Sequence, residues 1–432
     1  EPMSERTVFI HLPGETEAVP AGRLTMIEQG LQVQASAFAY GRRYVMRANA
    51  LPVDPVSLPL RPGQNHEERV PASGLVLFGA LRDATPDAWG RRVIENRLRA
   101  PPNGLPESVY LDHAGPHRAG ALDVRESPTS LAAESVLPSA LDLHHLLDAA
   151  ARIEEGEPVP AHLEMFFTGG PSVGGARPKA VVSVDGDEWI AKFPARNDPF
   201  NVPAIERATL ELARAAGLTV PRMRLETLAD GRQVMLIERF DRERLAHGIG
   251  RRHMVSALTL LALQAGDSPD SSYAAMADAM GLHGVSGQIA RDRHELFARM
   301  VFNILVSNDD DHLRNHAFLF DVDGAGWRLS PLYDVVPKPQ VGQERVLHLS
   351  VGPQGRLARL DNALAGAGRF GLLPPDAARI IDRVVRAVRG WRDTFEGLGV
   401  PVRDCDRVAS AFRRAADIGM RDVDRRLQGY AD

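Results

Sequence analysis

Residues 307–316 read Ser-Asn-Asp-Asp-Asp-His-Leu-Arg-Asn-His, and Asp334 follows within Ser-Pro-Leu-Tyr-Asp. Asp310 and Asn315 have the spacing at which a phosphotransfer loop offers one carboxylate to an acceptor hydroxyl and one amide to a metal ion. Adjacent aspartates repel one another and compete with helical hydrogen bonds, so the segment is predicted to be a loop. The stretch therefore predicts the catalytic loop of a kinase.

The sequence on both sides of this loop predicts how it is anchored. Apolar residues at helical spacing precede it over 296–305, and a short apolar strand follows over 317–320. Asp323-Gly324 predicts a hairpin, whose second strand over 327–329 brings Asp334 back toward the loop. Carboxylate and amide oxygens are the ligands that Mg2+ prefers, so we expect Asn315 and Asp334 to bind that ion.

The composition is that of a globular protein of several domains. Of 432 residues 44% are hydrophobic, the net charge is -5 and the sequence pI is near 6.3, which argues against bulk adhesion to nucleic acid or acidic membranes. A single cysteine, Cys405, excludes an internal disulfide and favours a reducing compartment. The sequence shows no export signal and no apolar run of membrane-spanning length, so we expect a cytoplasmic protein without membrane association.

Lysine is rare in this chain. Only Lys179, Lys192 and Lys338 are lysines among 51 basic residues. A compact ammonium reaches between phosphate oxygens where a planar guanidinium does not fit, so each retained lysine is a candidate phosphate ligand.

The order of predicted elements indicates an α+β, two-lobed protein-kinase-like fold. Strand-rich residues 1–125 form an additional β-containing subdomain, and 126–160 supply a linker and a helix. Residues 161–243 read as a mixed α/β nucleotide-binding lobe, in which Asp185-Gly186 predicts another hairpin. Residues 244–432 read as an all-α lobe with helices over 254–265, 272–281, 293–306, 375–395 and 405–428.

Other residues along the chain are candidates for contacts with the phosphates and the adenine of a nucleotide. Lys192, at the end of a predicted strand, is expected to pair with α- and β-phosphates, and Glu206 in the next helix is a candidate partner or a solvated carboxylate at a helix start. The backbone at Glu238 and Phe240 is expected to face the adenine. A glycine-rich segment over 168–179 matches no standard phosphate-loop motif, so it is either a phosphate cradle or a turn.

Other interpretations of these residues remain open. His312 and His316 have the i, i+4 spacing of a zinc pair, although the loop before the next strand is short and no third ligand shares the pattern. Asp309 and Asp311 are either loop-capping groups, additional metal-shell groups or part of a solvated acidic turn.

Five ordered motifs together resemble the HipA family of serine/threonine kinases. They are Ser172-Val-Gly-Gly-Ala-Arg-Pro-Lys179, Glu206 with Ala-Gly217, Ile237-Glu-Arg-Phe-Asp-Arg242, Asp310-Asp-His-Leu-Arg-Asn315 and Ser330-Pro-Leu-Tyr-Asp334. The resemblance spans roughly residues 75–375 and departs from the family at Asp309, where members often carry threonine. Members are toxins of type II toxin-antitoxin pairs, neutralised by a small DNA-binding antitoxin of the HipB type, and those studied phosphorylate aminoacyl-tRNA synthetases.

The resemblance implies a role for each matching residue. Asp310 is the implied catalytic base, Asn315 and Asp334 are the Mg2+ ligands, and Ser172 is the implied autophosphorylation site that silences the enzyme. The implied ATP contacts are Lys192, Glu238, Phe240, Ser172, Val173, Gly174, Gly175, Lys179 and His312. Any DNA contact is expected mainly through the antitoxin. Two other functions remain possible from the sequence: a nucleotide-binding transcriptional co-regulator without kinase turnover, and a small-molecule or lipid kinase.

Overall fold

The computed structural model describes residues 3–60, 63, 66–134, 136–160, 167 and 175–429. The chain divides into two compact units, of which the first holds residues 1–197 and 226–264 and the second holds 198–225 and 265–432. The predicted boundaries at 125, 160 and 243 remain predictions. The helix of residues 202–215, which the sequence places with the nucleotide-binding lobe, groups with the second unit, and residues 244–264 group with the first.

The first unit begins with an antiparallel sheet of order β3-β2-β1-β4. Its strands are β1 (Met3–His11), β2 (Ala18–Gln29), β3 (Gln32–Tyr40) and β4 (Leu122–Arg125). Alternate residues of β2, among them Leu24 and Met26, are fully buried, as expected for a sheet with one face on a core. At Gly22 a Cβ atom would lie 2.3 Å from the Phe38 ring of the neighbouring strand β3, so only glycine fits at this position of β2.

Helices α1 (Arg42–Val45), α2 (Gly79–Asp83), α3 (Ala88–Leu98) and α4 (Glu107–His113) lie between the third and fourth strands along the chain. Helix α3 begins at Ala88, where the Asp87 side chain accepts a hydrogen bond from the Gly90 amide and caps the helix.

The second sheet has the order β5-β6-β8-β7, with β5 (Lys179–Val184), β6 (Asp187–Lys192), β7 (Met223–Thr227) and β8 (Gln233–Glu238). The predicted hairpin at Asp185-Gly186 is confirmed, since both residues have positive φ, 52° and 84°. Helix α5 (Leu143–Glu155) buries Leu146, Leu147 and Ile153 in the same core as the inward residues of this sheet.

Strands β9 (Arg242–Leu245) and β10 (Gly248–Arg251) form a two-stranded ribbon, followed by β11 (Met254–Ser256) and the short helix α7 (Ala257–Leu260). The predicted helix over 254–265 is therefore wrong at both ends. Ser256 caps α7 by accepting from the Thr259 amide, and Ala262 has a left-handed φ of 53° that stops the helix.

The second unit is mainly helical. Its helices are α6 (Val202–Ala215), α8 (Tyr273–His283), α9 (Ile289–Val306), α10 (Leu360–Ala365), α11 (Pro374–Arg389), α12 (Trp391–Gly397), α13 (Val402–Val408) and α14 (Met420–Leu427). Every residue of α9 from Leu296 to Val306 is buried, so this helix forms the centre of the unit. The predicted single helix over 405–428 is wrong. Helix α13 ends at Val408, two 3-10 turns follow over Ala409–Ala411 and Ala415–Ile418, and α14 begins after Gly419, whose φ is 93°.

Candidate active site

The loop after α9 carries the predicted catalytic base. The helix ends at Ser307, whose left-handed φ of 53° turns the chain out of the helix. Residues 308–312 form the loop, and a single 3-10 turn, Leu313–Asn315, leads into strand β12 (Ala317–Asp321). The Asp310 side chain is 79% exposed to solvent, as a group that must meet a substrate requires.

Partial burial and neighbouring charges favour the protonated form of Asp310. Partial desolvation raises the pKa of Asp310, the negative charges of Asp334 and Asp309 act in the same direction, and His312 opposes them. Because most of the side chain remains exposed, solvent screens these charges. The His312 Nε2 atom lies 3.6 Å from Asp310 Oδ1, so the two side chains form a loose pair.

Asn315 is tied to the backbone of the loop over residues 308–312. Its Nδ2 atom donates a 2.7 Å hydrogen bond to the Asp310 carbonyl. Its Oδ1 atom is buried and accepts no hydrogen bond from the residues that the structure describes. A buried acceptor without a partner costs about 1–3 kcal/mol, so the site favours a cation or a water molecule at this oxygen.

Asp334 is brought to this loop by the predicted hairpin, which the structure confirms. Strand β12 pairs with β13 (Gly326–Leu329) in antiparallel register, and Tyr333 donates a 2.9 Å hydrogen bond from its hydroxyl to the Arg314 carbonyl. Asp334 itself has a left-handed φ of 53°. Such a conformation costs a non-glycine residue roughly 1–3 kcal/mol and is concentrated at functional sites. Asp310, Asn315 and Asp334 thus lie in one region of the second unit.

The neighbouring aspartates have separate surroundings. Asp309 Oδ2 accepts from Lys338 Nζ at 2.9 Å and from the Gln340 amide at 3.3 Å, so the extra carboxylate has a cation beside it. Asp311 points inward, is 1% exposed, and has its pKa raised to about 7 by burial, against hydrogen bonds from Tyr273 and the His348 amide.

The two histidines of the possible zinc pair differ in environment. Burial lowers the pKa of His316 to about 3, and its Nε2 atom lies 3.1 Å from the Asp311 carbonyl. The His312 ring instead lies edge-on to the His348 ring, with centroids 5.9 Å apart. Within the described ranges no three His, Cys, Asp or Glu side chains are grouped as a metal site, so the structure gives the zinc interpretation no support there.

Two of the three candidate phosphate lysines, Lys179 and Lys192, lie in the first unit, and Lys338 lies in the second. Lys179 and Lys192 are direct cross-strand partners of β5 and β6, so their side chains share one face of the sheet. Lys179 Nζ lies 2.7 Å from Asp87 Oδ2, and both side chains are 6% exposed, which makes this lysine part of a buried ion pair. The half-buried Lys192 ends β6.

Some of the other predicted ATP contacts lie among the described residues, and others do not. Glu238 ends β8 opposite Trp189, and Phe240 follows as a half-buried residue. Glu206 is 2% exposed on α6 in the second unit, so its pairing with Lys192 stays a prediction. Ser172, Val173 and Gly174 lie outside the described residues. Gly175 is described and has φ of 117°, a conformation that L side chains rarely adopt.

The sequence profile of the HipA-like C-terminal domain matches residues 171–391, which is more than half of the chain. This protein belongs to the HipA-like family. The matched range includes all five motifs quoted above and confirms the resemblance. No described helix of this HipA-like protein is both long and apolar enough to cross a membrane.

Relatives and a solved structure agree with this family. A Sinorhizobium fredii protein provisionally named the kinase Y4mE is 27% identical over 354 residues, 75% of this chain and 77% of its own. A Haemophilus influenzae protein provisionally named a kinase is 25% identical over 236 residues, 49% of this chain and 67% of its own. A chain in the solved complex of HipA, HipB and operator DNA from Shewanella oneidensis covers 98% of both chains with 18% identity and a TM-score of 0.67. The α+β fold class is thereby confirmed.

Sequence reasoning missed a buried ion network in this HipA-like chain. Arg239 and Arg242 follow β8 and share the carboxylate of Asp241, at 2.8 and 3.0 Å. Both guanidinium groups also donate to the Arg118 carbonyl, at 3.0 and 2.8 Å, so the segment after β8 is fixed to residues far earlier in the first unit. The quoted Ile237–Arg242 motif was the available signal, since it places four charged residues at the end of an apolar strand, and charges that become buried require partners.

Proposed function

We propose that this protein is an ATP- and Mg2+-dependent serine/threonine-protein kinase and the toxin of a toxin-antitoxin pair. The supporting observation is the arrangement of Asp310, Asn315 and Asp334: an exposed carboxylate, a buried amide oxygen without a described partner, and a second carboxylate close enough to influence the first. Names of the relatives, which refer to kinases, agree with this chemistry.

Each residue then has a defined task. Asp310 accepts the proton of the acceptor hydroxyl as the oxygen attacks the terminal phosphate. Asn315 holds the Asp310 backbone through its Nδ2 atom and offers Oδ1 toward the cation, while Asp334 offers the second protein oxygen. A bound Mg2+ neutralises charge on the phosphate oxygens. Lys192 is proposed to bind α- and β-phosphates, and Glu238 with Phe240 to face the adenine.

The partners proposed for this protein follow from its family and its structural relative. The Shewanella complex contains HipB and operator DNA, so we propose a HipB-type antitoxin here, with DNA contacted mainly through it. The proposed substrate is a component of translation such as an aminoacyl-tRNA synthetase. Autophosphorylation at Ser172 is proposed as the off switch, because a phosphate dianion there would repel ATP.

Incubation of the purified protein with γ-labelled ATP and a host lysate tests the proposed reaction. We expect label in protein, as phosphoserine or phosphothreonine, and at least about 100-fold slower labelling with the Asp310→Asn variant. Label in a small molecule or lipid would instead identify a different acceptor class. Label in neither fraction, with ATP still bound, would favour the co-regulator function.

Removing the Asn315 amide will test the metal role. We expect Asn315→Ala to raise the Mg2+ concentration for half-maximal activity on the order of tenfold or more, because one of two protein oxygens is lost. A magnesium titration of initial rates measures this change. Asn96→Ala is a matched control, since its side chain bonds the Glu157 carbonyl in the first unit. An unchanged magnesium requirement in Asn315→Ala would contradict the assignment.

A further inference from the structure

We propose that Asp311 is a positioning residue, which holds the catalytic loop from inside so that the adjacent Asp310 is presented outward. This inference rests on the proposed function and adds to it a residue that does not touch the substrate. The two neighbours have opposite environments: Asp310 is 79% exposed at its side chain, whereas Asp311 is 1% exposed.

Both oxygens of the Asp311 carboxylate are bound. Oδ1 accepts a 2.7 Å hydrogen bond from the His348 backbone amide, and Oδ2 accepts a 2.6 Å bond from the Tyr273 hydroxyl. The Asp311 carbonyl is 3.1 Å from Nε2 of His316. Asp311 is thus held by Tyr273 of α8, by the backbone at His348 and by His316, which precedes β12.

A second layer connects this anchor to α9. The Tyr273 hydroxyl accepts from Asn303 Nδ2 at 2.9 Å, and Asn303 Oδ1 accepts from Asn308 Nδ2 at 3.0 Å. Tyr273, Asn303 and Asn308 are at most 3% exposed. A buried polar network whose members satisfy one another restricts a loop to one conformation, because each broken bond leaves a desolvated group unpaired.

Placement of the base is the property that this network controls. Asp310 has no described anchor of its own beyond the loose contact with His312 and the bond from Asn315 to its carbonyl. A displacement of the order of 1 Å at a reacting group costs about a hundredfold in rate. Loosening Asp311 should therefore lower the rate of the chemical step and leave nucleotide binding almost unchanged.

The decisive variant is Tyr273→Phe, which keeps the buried ring and removes one donor to Asp311. We expect kcat to fall about 10- to 100-fold, with KM for ATP changed by about twofold at most. Asp311→Ala should have a similar effect, and the double variant should lose little more than either single one, because both act on one anchor.

Tyr44→Phe is the matched control. Its hydroxyl is equally buried and donates a 2.6 Å hydrogen bond to the Leu51 carbonyl in the first unit. We expect this variant to retain wild-type kcat. Equal kcat values for Tyr273→Phe and Tyr44→Phe, or additive losses in the double variant, would overturn the proposal.

Amide hydrogen exchange at His348 gives a readout that does not depend on activity. We expect exchange to be faster in Tyr273→Phe and Asp311→Ala than in the wild type, and unchanged in Tyr44→Phe. Unchanged protection in both loop variants would show that Asp311 is no anchor. If the wild-type protein transfers no phosphate, the proposed function fails, and the exchange data alone decide whether Asp311 holds the loop.

Discussion

The Asp310→Asn variant will lose about 10²–10⁴-fold in the rate of phosphate transfer, the range by which a positioned general base accelerates reactions. The amide cannot take the proton of an attacking hydroxyl, but it has nearly the same shape and removes a negative charge from beside Asp334 and Asp309. ATP affinity should consequently be retained. Single-turnover transfer of labelled phosphate and equilibrium binding of ATP measure the two quantities separately.

Asp309→Asn is the control for this experiment. It removes an adjacent charge whose partners are Lys338 and Gln340, and it leaves the proposed base intact. We expect a much smaller loss of rate in this variant than in Asp310→Asn. Transfer at the wild-type rate in Asp310→Asn would exclude Asp310 as the base and, with it, the proposed mechanism.

The Asp241→Asn variant will destabilise the first unit by about 3–5 kcal/mol, the usual cost of breaking a buried ion pair from one side. Asp241 is 3% exposed and lies between two guanidinium groups, with its pKa lowered to about 2 by Arg239 and Arg242 in spite of burial. Its Oδ2 atom also accepts from the Gly120 amide at 2.8 Å. The substitution leaves an excess of buried positive charge.

Urea unfolding followed by fluorescence measures this loss. Asp230→Asn provides the comparison, because Asp230 forms an exposed ion pair with Arg232 at 2.6 Å, and such pairs contribute little. We expect little or no shift of the unfolding midpoint in that control. Equal midpoints for the two variants would mean that the buried network is not a source of stability.

Local signals in the sequence predicted the parts of the fold that depend on neighbouring residues. Asp185-Gly186 fixes a turn through backbone conformations that few other dipeptides adopt, and Pro203 early in a helix starts α6 at Val202. The catalytic loop was predictable for the same reason, since Asp310 and Asn315 lie in a single short segment. Their roles in catalysis and metal binding stay predictions.

Long-range contacts were not predictable from a single sequence. Asp311 is bonded to Tyr273 and to the His348 backbone, and neither partner is near it along the chain. The guanidinium of Arg239 likewise finds its acceptors at residues 117 and 118. The periodicity of apolar residues also does not show where tertiary packing interrupts a helix. For this reason the continuous helix expected over 405–428 was wrong.

The interleaving of the two units along the chain affects how the protein can be divided. The polypeptide leaves the first unit after residue 197, returns at 226 and leaves again after 264. Helix α6 lies within residues 198–225 and packs against α11 and α12, which follow residue 373. Its apolar residues Ile205, Ala208 and Leu212 are buried. A fragment ending at residue 264 would lack α11 and α12. It would therefore expose apolar residues of α6 to water and tend to aggregate. Residues 374–397, which include α11 and α12, must therefore be synthesised before α6 can pack against these two helices.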